Sequence, residues 1–176
     1  MNEEKFWQLI ENAKARSDGE TDAQLENLRE NLEKLSPEEI VAFDRLFDKF
    51  FWQSYDWKLW AAAYLINGGC SDDGFDYFRA GLILQGEKVF KAALADPETL
   101  TEVLDFEDGD LAESSDWAIG VEEFLYLPSE VYERLTGEEI PHEISSRREP
   151  SGEDWEEKDV EKVLPKLAKY CEDGIS

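Results

Sequence analysis

The sequence is poor in basic residues, and this absence restricts its partners. Only 18 of its 176 residues are Lys or Arg, against 43 Asp or Glu, and the formal net charge at pH 7 is −25. A surface with this charge repels phosphates, which argues against nucleic acid or an anionic membrane as a partner. No window reaches the roughly 18 consecutive apolar residues of a membrane-spanning helix. The sequence therefore predicts no nucleic-acid partner and no membrane partner.

Histidine and cysteine are also scarce, which limits the possible chemistry. His142, Cys70 and Cys171 are too few and too widely spaced to supply the four ligands of a zinc site. A Cys70 or Ser71 nucleophile would need the segment around His142 to fold back against it. The "NGGCSDDG" run lacks the lysine of a phosphate-binding loop and follows a predicted helix. We therefore predict no catalytic residue, no metal ligand and no cofactor.

The start of the chain and its cysteines favour the cytoplasm. The segment "MNEEKFWQLIENAKARSDGE" has acidic residues where a signal peptide needs positive charge, and its apolar run is interrupted. Two distant cysteines without a pairing signature are typical of free thiols in a reducing compartment. We expect a cytoplasmic protein.

Apolar and aromatic residues, in contrast, are plentiful. Hydrophobic residues make up 41% of the chain and aromatic residues 12%, including six Trp and ten Phe. A disordered acidic chain would be poor in such side chains. A chain of this length can bury one sizeable core, and no linker or repeat divides it. The sequence predicts one compact domain over residues 1–176.

The charge itself has three interpretations. It can be a solvated, strongly soluble surface, an adaptation to a salty cytoplasm, or a surface that docks a basic partner. Composition does not distinguish these interpretations. A titration of binding against ionic strength would separate the third from the other two.

Apolar residues recur at spacings of three and four along most of the chain, which predicts an all-α fold with an aromatic-rich core. Ser36, followed by Pro37 and Glu39, predicts a capping box at a helix start. Thr21 with Gln24 predicts a second box. Candidate strands are nearly absent.

The second part of the chain, residues 105–176, is predicted as an acidic loop followed by further helices. Six of the twelve residues from Asp105 to Asp116 are acidic and none is basic, which favours an exposed loop. Pro128 is predicted to break a helix that Ser129 then reopens.

The segment from Trp60 to Phe90 is the least ordinary part of the sequence. Two predicted helices meet at a Gly-Gly-Cys-Ser turn that contains Cys70. Ser71 or Asp72 can accept hydrogen bonds from the free amides of the second helix, whose positive end favours acidic residues. The turn is therefore explained either by helix capping or by a binding site.

Charged residues on that second helix are predicted to form a cluster. At 100° per residue, Asp72, Asp76 and Arg79 lie along one edge, so carboxylates can bracket the guanidinium. Asp73 is predicted to point the opposite way, beside Tyr77. The cluster is either a structural ion pair or a polar site that faces a ligand.

These motifs resemble a known family. The similarity runs from "FWQLI" through "LWAAAYLINGGCSDDGFDYFRAGLILQG" to "ALADPETL", so residues 1–104 match best, and "EFLYLPSEVYERLTGEEIP" matches more weakly. The chain resembles the family called domain of unknown function 4240. This resemblance implies a bacterial cytoplasmic protein, alone or beside other domains, and implies no particular chemistry.

Our functional hypothesis is a non-enzymatic binding or regulatory module whose acidic surface docks a basic protein partner. The alternative is an enzyme, or a protein that binds a small molecule or a metal, with its site at the Gly-Gly-Cys-Ser-Asp-Asp turn. The candidate binding residues lie at and just after this turn, and they are Cys70, Ser71, Asp72, Asp73, Asp76 and Arg79.

Overall fold

The computed structural model describes residues 1–142 and 149–176 and is mainly helical. The α-helices are α1 (Glu3–Ala15), α2 (Thr21–Leu32), α3 (Pro37–Gln53), α4 (Trp57–Asn67), α5 (Asp72–Leu84), α6 (Glu87–Ala95), α7 (Glu122–Thr136), α8 (Val160–Val163) and α9 (Pro165–Ile175). Short 3₁₀ helices cover Pro97–Glu102, Glu113–Ala118 and Glu157–Asp159. Within the described ranges, the strands are β1 (Phe106–Glu107) and β2 (Asp110–Leu111), which pair as an antiparallel hairpin. The predicted all-α fold class is confirmed.

Local side chains start α3 as predicted. Ser36 Oγ accepts a hydrogen bond from the Glu39 amide at 3.3 Å, and the Glu39 carboxylate accepts one from the Ser36 amide at 3.2 Å. The two bonds satisfy amides that would otherwise lack a partner at the helix start. The predicted capping box at Ser36 is therefore present.

The second predicted capping box is wrong. Helix α2 begins without a side-chain cap. The Thr21 hydroxyl donates instead to Asp116, and the buried Gln24 amide donates to the Leu84 carbonyl at 2.6 Å. Long-range hydrogen bonds thus take the place of the local cap, because burial makes an unpaired polar side chain costly.

The predicted helix break at Pro128 is also wrong, because α7 continues through this proline. Proline lacks an amide hydrogen, so the helix loses one internal hydrogen bond there. The buried face of α7 includes Phe124, Leu127 and Val131 as well as the proline. Burial of these apolar groups offsets the lost hydrogen bond.

The acidic stretch from Asp105 to Asp116 is more ordered than the predicted exposed loop. It contains the β1–β2 hairpin and the first turn of a 3₁₀ helix. Ser115 is fully buried, and its hydroxyl accepts a hydrogen bond from the Asp105 amide at 2.8 Å. The Phe106 ring packs against Tyr170 of α9 with ring centres 5.8 Å apart. All of its acidic residues except the half-buried Asp116 are exposed, while the hairpin is attached to the core.

Aromatic rings from several helices form the centre of the domain. Phe6 of α1 lies 4.7 Å from Phe43 of α3, and Phe47 of α3 lies 4.7 Å from Phe124 of α7, between ring centres. Each fully buried ring contributes roughly 1.5–3 kcal/mol to the free energy of unfolding. The predicted aromatic-rich core in a single compact domain is confirmed.

A C-terminal segment holds the turn between α3 and α4. The Ser151 amide donates to the Tyr55 carbonyl at 2.9 Å, and the Trp57 amide donates to the Ser151 carbonyl at 2.9 Å. The Trp155 indole donates to the Trp57 carbonyl at 2.7 Å. These bonds fix the turn that carries Tyr55.

Candidate functional site

The Gly-Gly-Cys-Ser turn joins α4 to α5. Helix α4 closes at Gly68, which has a φ of 65° in the left-handed region that glycine adopts without strain. The Trp60 indole donates a hydrogen bond to the Cys70 carbonyl at 3.0 Å. Ser71 Oγ accepts one from the Gly74 amide at 3.1 Å, so Ser71 is the cap of α5. The turn therefore has the predicted capping role.

Arg79 of α5 is buried beside this turn, with 1% of its side chain exposed. Its Nη1 group donates to the Phe51 carbonyl, and its Nη2 group donates to the Asp76 carboxylate. Within the described part of the chain, its Nε atom has no hydrogen-bond partner. Burial lowers the pKa of Arg79, and the Asp76 charge opposes this shift. The predicted ion pair between Arg79 and Asp76 is present.

Aromatic rings surround the Arg79 guanidinium. Its central carbon lies 3.8 Å from the centre of the Phe51 ring, 4.7 Å from that of Tyr55 and 5.0 Å from that of Phe75. The negative faces of such rings attract a cation. The rings and the carbonyl together replace the water that the guanidinium loses on burial.

A cavity of about 280 Å³ opens beside Arg79, and we call it the Asp72 pocket. Its lining consists of Trp52, Tyr55, Asp72, Asp73, Asp76 and Arg79. Four of the six candidate residues therefore meet there. Cys70 and Ser71 belong to the adjoining turn.

Burial, Glu122 and Asp73 raise the pKa of Tyr77, so Asp73 lies near Tyr77 as predicted. Its predicted separation from Asp72 is corrected. This residue was expected to point away from Asp72, but both line the same pocket. The pocket lies at the first turn of α5, where both residues border it. Helical angles alone do not show where the preceding turn and the end of α3 place the opening.

Two lining residues, Trp52 and Tyr55, were not among the predicted site residues. They come from the end of α3 and the turn that follows, with ring centres 5.8 Å apart. A signal was present in the aromatic run "FFWQSYDW", but sequence spacing does not show that this run meets the start of α5.

Cys70 has the properties of a thiol rather than a thiolate. Burial, together with the charges of Asp72 and Asp76, raises the pKa of Cys70 to about 11. At neutral pH the sulfur is therefore a protonated thiol, whereas only the thiolate form reacts as a nucleophile. The arrangement does not favour a reaction at Cys70.

His142 lies beside α3. Its Nδ1 atom is 3.6 Å from the Asp44 carboxylate, which is a buried acid. The imidazole is therefore paired with Asp44 rather than with Cys70 or Ser71. Over residues 1–142 and 149–176, no three His, Cys, Asp or Glu side chains are placed to hold a metal ion.

The fold and the pocket define an all-α protein of one domain with an opening lined by acidic and aromatic side chains. Over the described ranges, no helix is long and apolar enough to span a membrane. A family model described as protein of unknown function (DUF4240) matches residues 1–134, about three quarters of the chain. The chain therefore belongs to this family, and the Asp72 pocket lies wholly within the matched region. Neither the curated proteins nor the solved structures yielded a match.

Proposed function

We propose that this protein is a non-enzymatic binding module that docks a basic protein partner at the Asp72 pocket. The observation that carries the proposal is the combination of three carboxylates with two aromatic rings around one opening. Carboxylates pair with a cation, and ring faces attract it after it loses water. A Lys or Arg side chain from a partner has the chemistry that fits this opening.

Arg79 does not cancel the negative charge of the Asp72 pocket. The lining holds three carboxylates against one guanidinium. The guanidinium is buried between Phe51, Tyr55 and Phe75 and is already bonded to Asp76. A cation that enters the pocket therefore meets a surplus of negative charge.

The charge of the whole molecule supports the same partner. A net charge of −25 speeds the approach of a basic protein and repels acidic ones. The proposal includes a cytoplasmic location, with which the free thiols of Cys70 and Cys171 agree.

The alternative, a small-molecule site with or without enzymatic activity, is favoured by one observation. The Asp72 pocket is a cavity of about 280 Å³, close to the lower end of the roughly 300–1,000 Å³ of many ligand sites. A thermal-shift screen of metabolites and metal ions tests this alternative. A flat response, with Asp73→Ala and Cys70→Ala proteins that behave as wild type, would argue strongly against it.

The main proposal can be tested with a pair of charge-matched variants. Asp72→Asn combined with Asp73→Asn removes two charges from the pocket. Asp108→Asn combined with Asp110→Asn removes two charges from the exposed β1–β2 hairpin. Each protein is immobilised and exposed to lysate of the source cells at about 150 mM salt, where charges are screened over roughly 8 Å.

We expect wild type and the hairpin variant to retain the same basic protein, and the pocket variant to lose it. Mass spectrometry identifies the retained protein, and repeating the capture at higher salt should reduce its recovery. Equal retention by all three proteins, or recovery of nonspecific polycations alone, would show that the pocket is not the docking site.

A further inference from the structure

A second cavity, of about 320 Å³, lies where the end of α1, the start of α2 and the end of α5 converge. We call it the Lys14 pocket, and its lining includes Lys14, Ser17, Gln24, Gln85, Asp105 and Trp117. All of these residues fall within the region that the family model matches. The lining differs from that of the Asp72 pocket, so the two cavities are separate.

The charge of this lining is balanced. Lys14 supplies one positive charge and Asp105 one negative charge. In the Asp72 pocket three carboxylates face one guanidinium. The Lys14 pocket can therefore accept an anionic group, which most of this acidic surface would repel.

The Lys14 ammonium group forms fewer hydrogen bonds than it has donors. Its Nζ atom donates one hydrogen bond to the Gln85 carbonyl at 3.1 Å, and an ammonium has three donors. Among the residues that the structure describes, no carboxylate lies within ion-pair distance of it. Burial lowers the pKa of Lys14, and the charge of Glu11 partly opposes this shift. A carboxylate brought by a ligand would supply the charge partner that replaces the water lost on burial.

The polar side chains near Lys14 already donate their hydrogen bonds to backbone carbonyls. The Ser17 hydroxyl donates to the Lys14 carbonyl at 2.7 Å, and the Gln24 amide donates to the Leu84 carbonyl at 2.6 Å. Each of these side chains keeps an oxygen that can accept a hydrogen bond. These oxygens and the Asp105 carboxylate can accept hydrogen bonds from the donors of a ligand.

From these contacts we infer that the Lys14 pocket binds a small zwitterion of the α-amino acid type. Its carboxylate pairs with Lys14, and its ammonium group pairs with Asp105. The cavity volume suits a ligand of this size. This inference is independent of the docking proposal, because it uses other residues and another ligand class.

Isothermal titration calorimetry with the standard α-amino acids tests the inference on the full chain. At least one of them should bind to wild type. For that ligand, the matching carboxylic acid without the amine and the matching amine without the carboxylate should each bind at least tenfold more weakly. Equal binding of either analogue would overturn the zwitterion assignment.

Matched variants assign the site. Lys14→Met and Asp105→Asn should each weaken binding at least tenfold, whereas exposed Lys88→Met and Asp110→Asn should bind as wild type does. Asp105 is exposed, so its variant tests the site even if Lys14→Met folds poorly. The absence of binding by every amino acid, or binding that neither pocket variant weakens, would refute the inference.

Discussion

At the scale of single residues, Arg79 connects the Asp72 pocket to the core. Its guanidinium is bonded to the Phe51 carbonyl of α3 and to Asp76 of its own helix. A buried cation is tolerable only when such partners replace water. The same residue therefore supports the fold and shapes the candidate site.

We predict that Arg79→Ala lowers the free energy of unfolding by about 2–5 kcal/mol, because it leaves a cavity among the surrounding rings and leaves the Phe51 carbonyl without its partner. Urea denaturation at neutral pH measures the change. Arg134→Ala is the control, since Arg134 forms an exposed ion pair with Glu33, and exposed pairs contribute about 0–1 kcal/mol. Equal losses for the two variants would contradict this account of Arg79.

At the scale of elements, helix α5 is approached very closely by the segment Glu113–Ala118. A β-carbon added to Gly81 of α5 would lie 2.1 Å from the Trp117 carbonyl oxygen and 3.2 Å from a methyl group of Val121. These distances leave no room for a side chain, and the nearest atom is backbone. The absence of a side chain at Gly81 sets the spacing of the two elements.

We therefore expect Gly81→Ala to destabilise the protein by at least about 2 kcal/mol, although alanine favours helix formation by up to roughly 1 kcal/mol. Thermal and urea denaturation give the change. Gly74→Ala in the same helix is the control, because its new β-carbon would meet only side-chain atoms, at 3.3 and 3.5 Å. If both variants were equally stable, the close approach at Gly81 would not limit packing.

At the scale of the whole molecule, the surplus of carboxylates controls the response to pH. Burial and repulsion from Asp48, partly opposed by His142 and Arg45, together raise the pKa of Asp44 from 3.8 to about 6. Because this folded-state pKa is above the unfolded value, Asp44 stabilises the fold at low pH. That contribution is lost as the pH rises through about 6.

We predict that the free energy of unfolding is higher at pH 5 than at pH 8, with about 1 kcal/mol of the difference due to Asp44. Protonation of carboxylates also relieves the repulsion of a molecule with 25 surplus negative charges. In the opposite direction, Lys49 lowers the pKa of Glu3, and Lys5 lowers the pKa of Glu39. These two shifts change the stability only when the pH falls below 4.5, the ordinary pKa of a glutamate side chain.

The variant Asp44→Asn checks the assignment. It should reduce the difference between pH 5 and pH 8 by about 1 kcal/mol, since it removes the group that gains a proton on folding. The exposed Asp22→Asn serves as the control and should leave the difference unchanged. A pH dependence that Asp44→Asn does not alter would assign the effect to other groups.

The sequence by itself determined the helical class, the aromatic core, the cap at Ser36 and the pair of Arg79 with Asp76. These features depend on periodicity and on partners within a few residues, which spacing encodes directly. The same reasoning gave four of the six residues that line the Asp72 pocket.

Tertiary structure alone decided the rest. The Thr21 hydroxyl bonds to Asp116 instead of capping α2, and α7 continues through Pro128. Trp52 and Tyr55 lie beside the start of α5. In each case, packing or a bond between distant residues outweighs a local preference of about 1 kcal/mol for a cap or 3 kcal/mol for a proline break. Sequence spacing measures distance along the chain, and these contacts depend on distance in space.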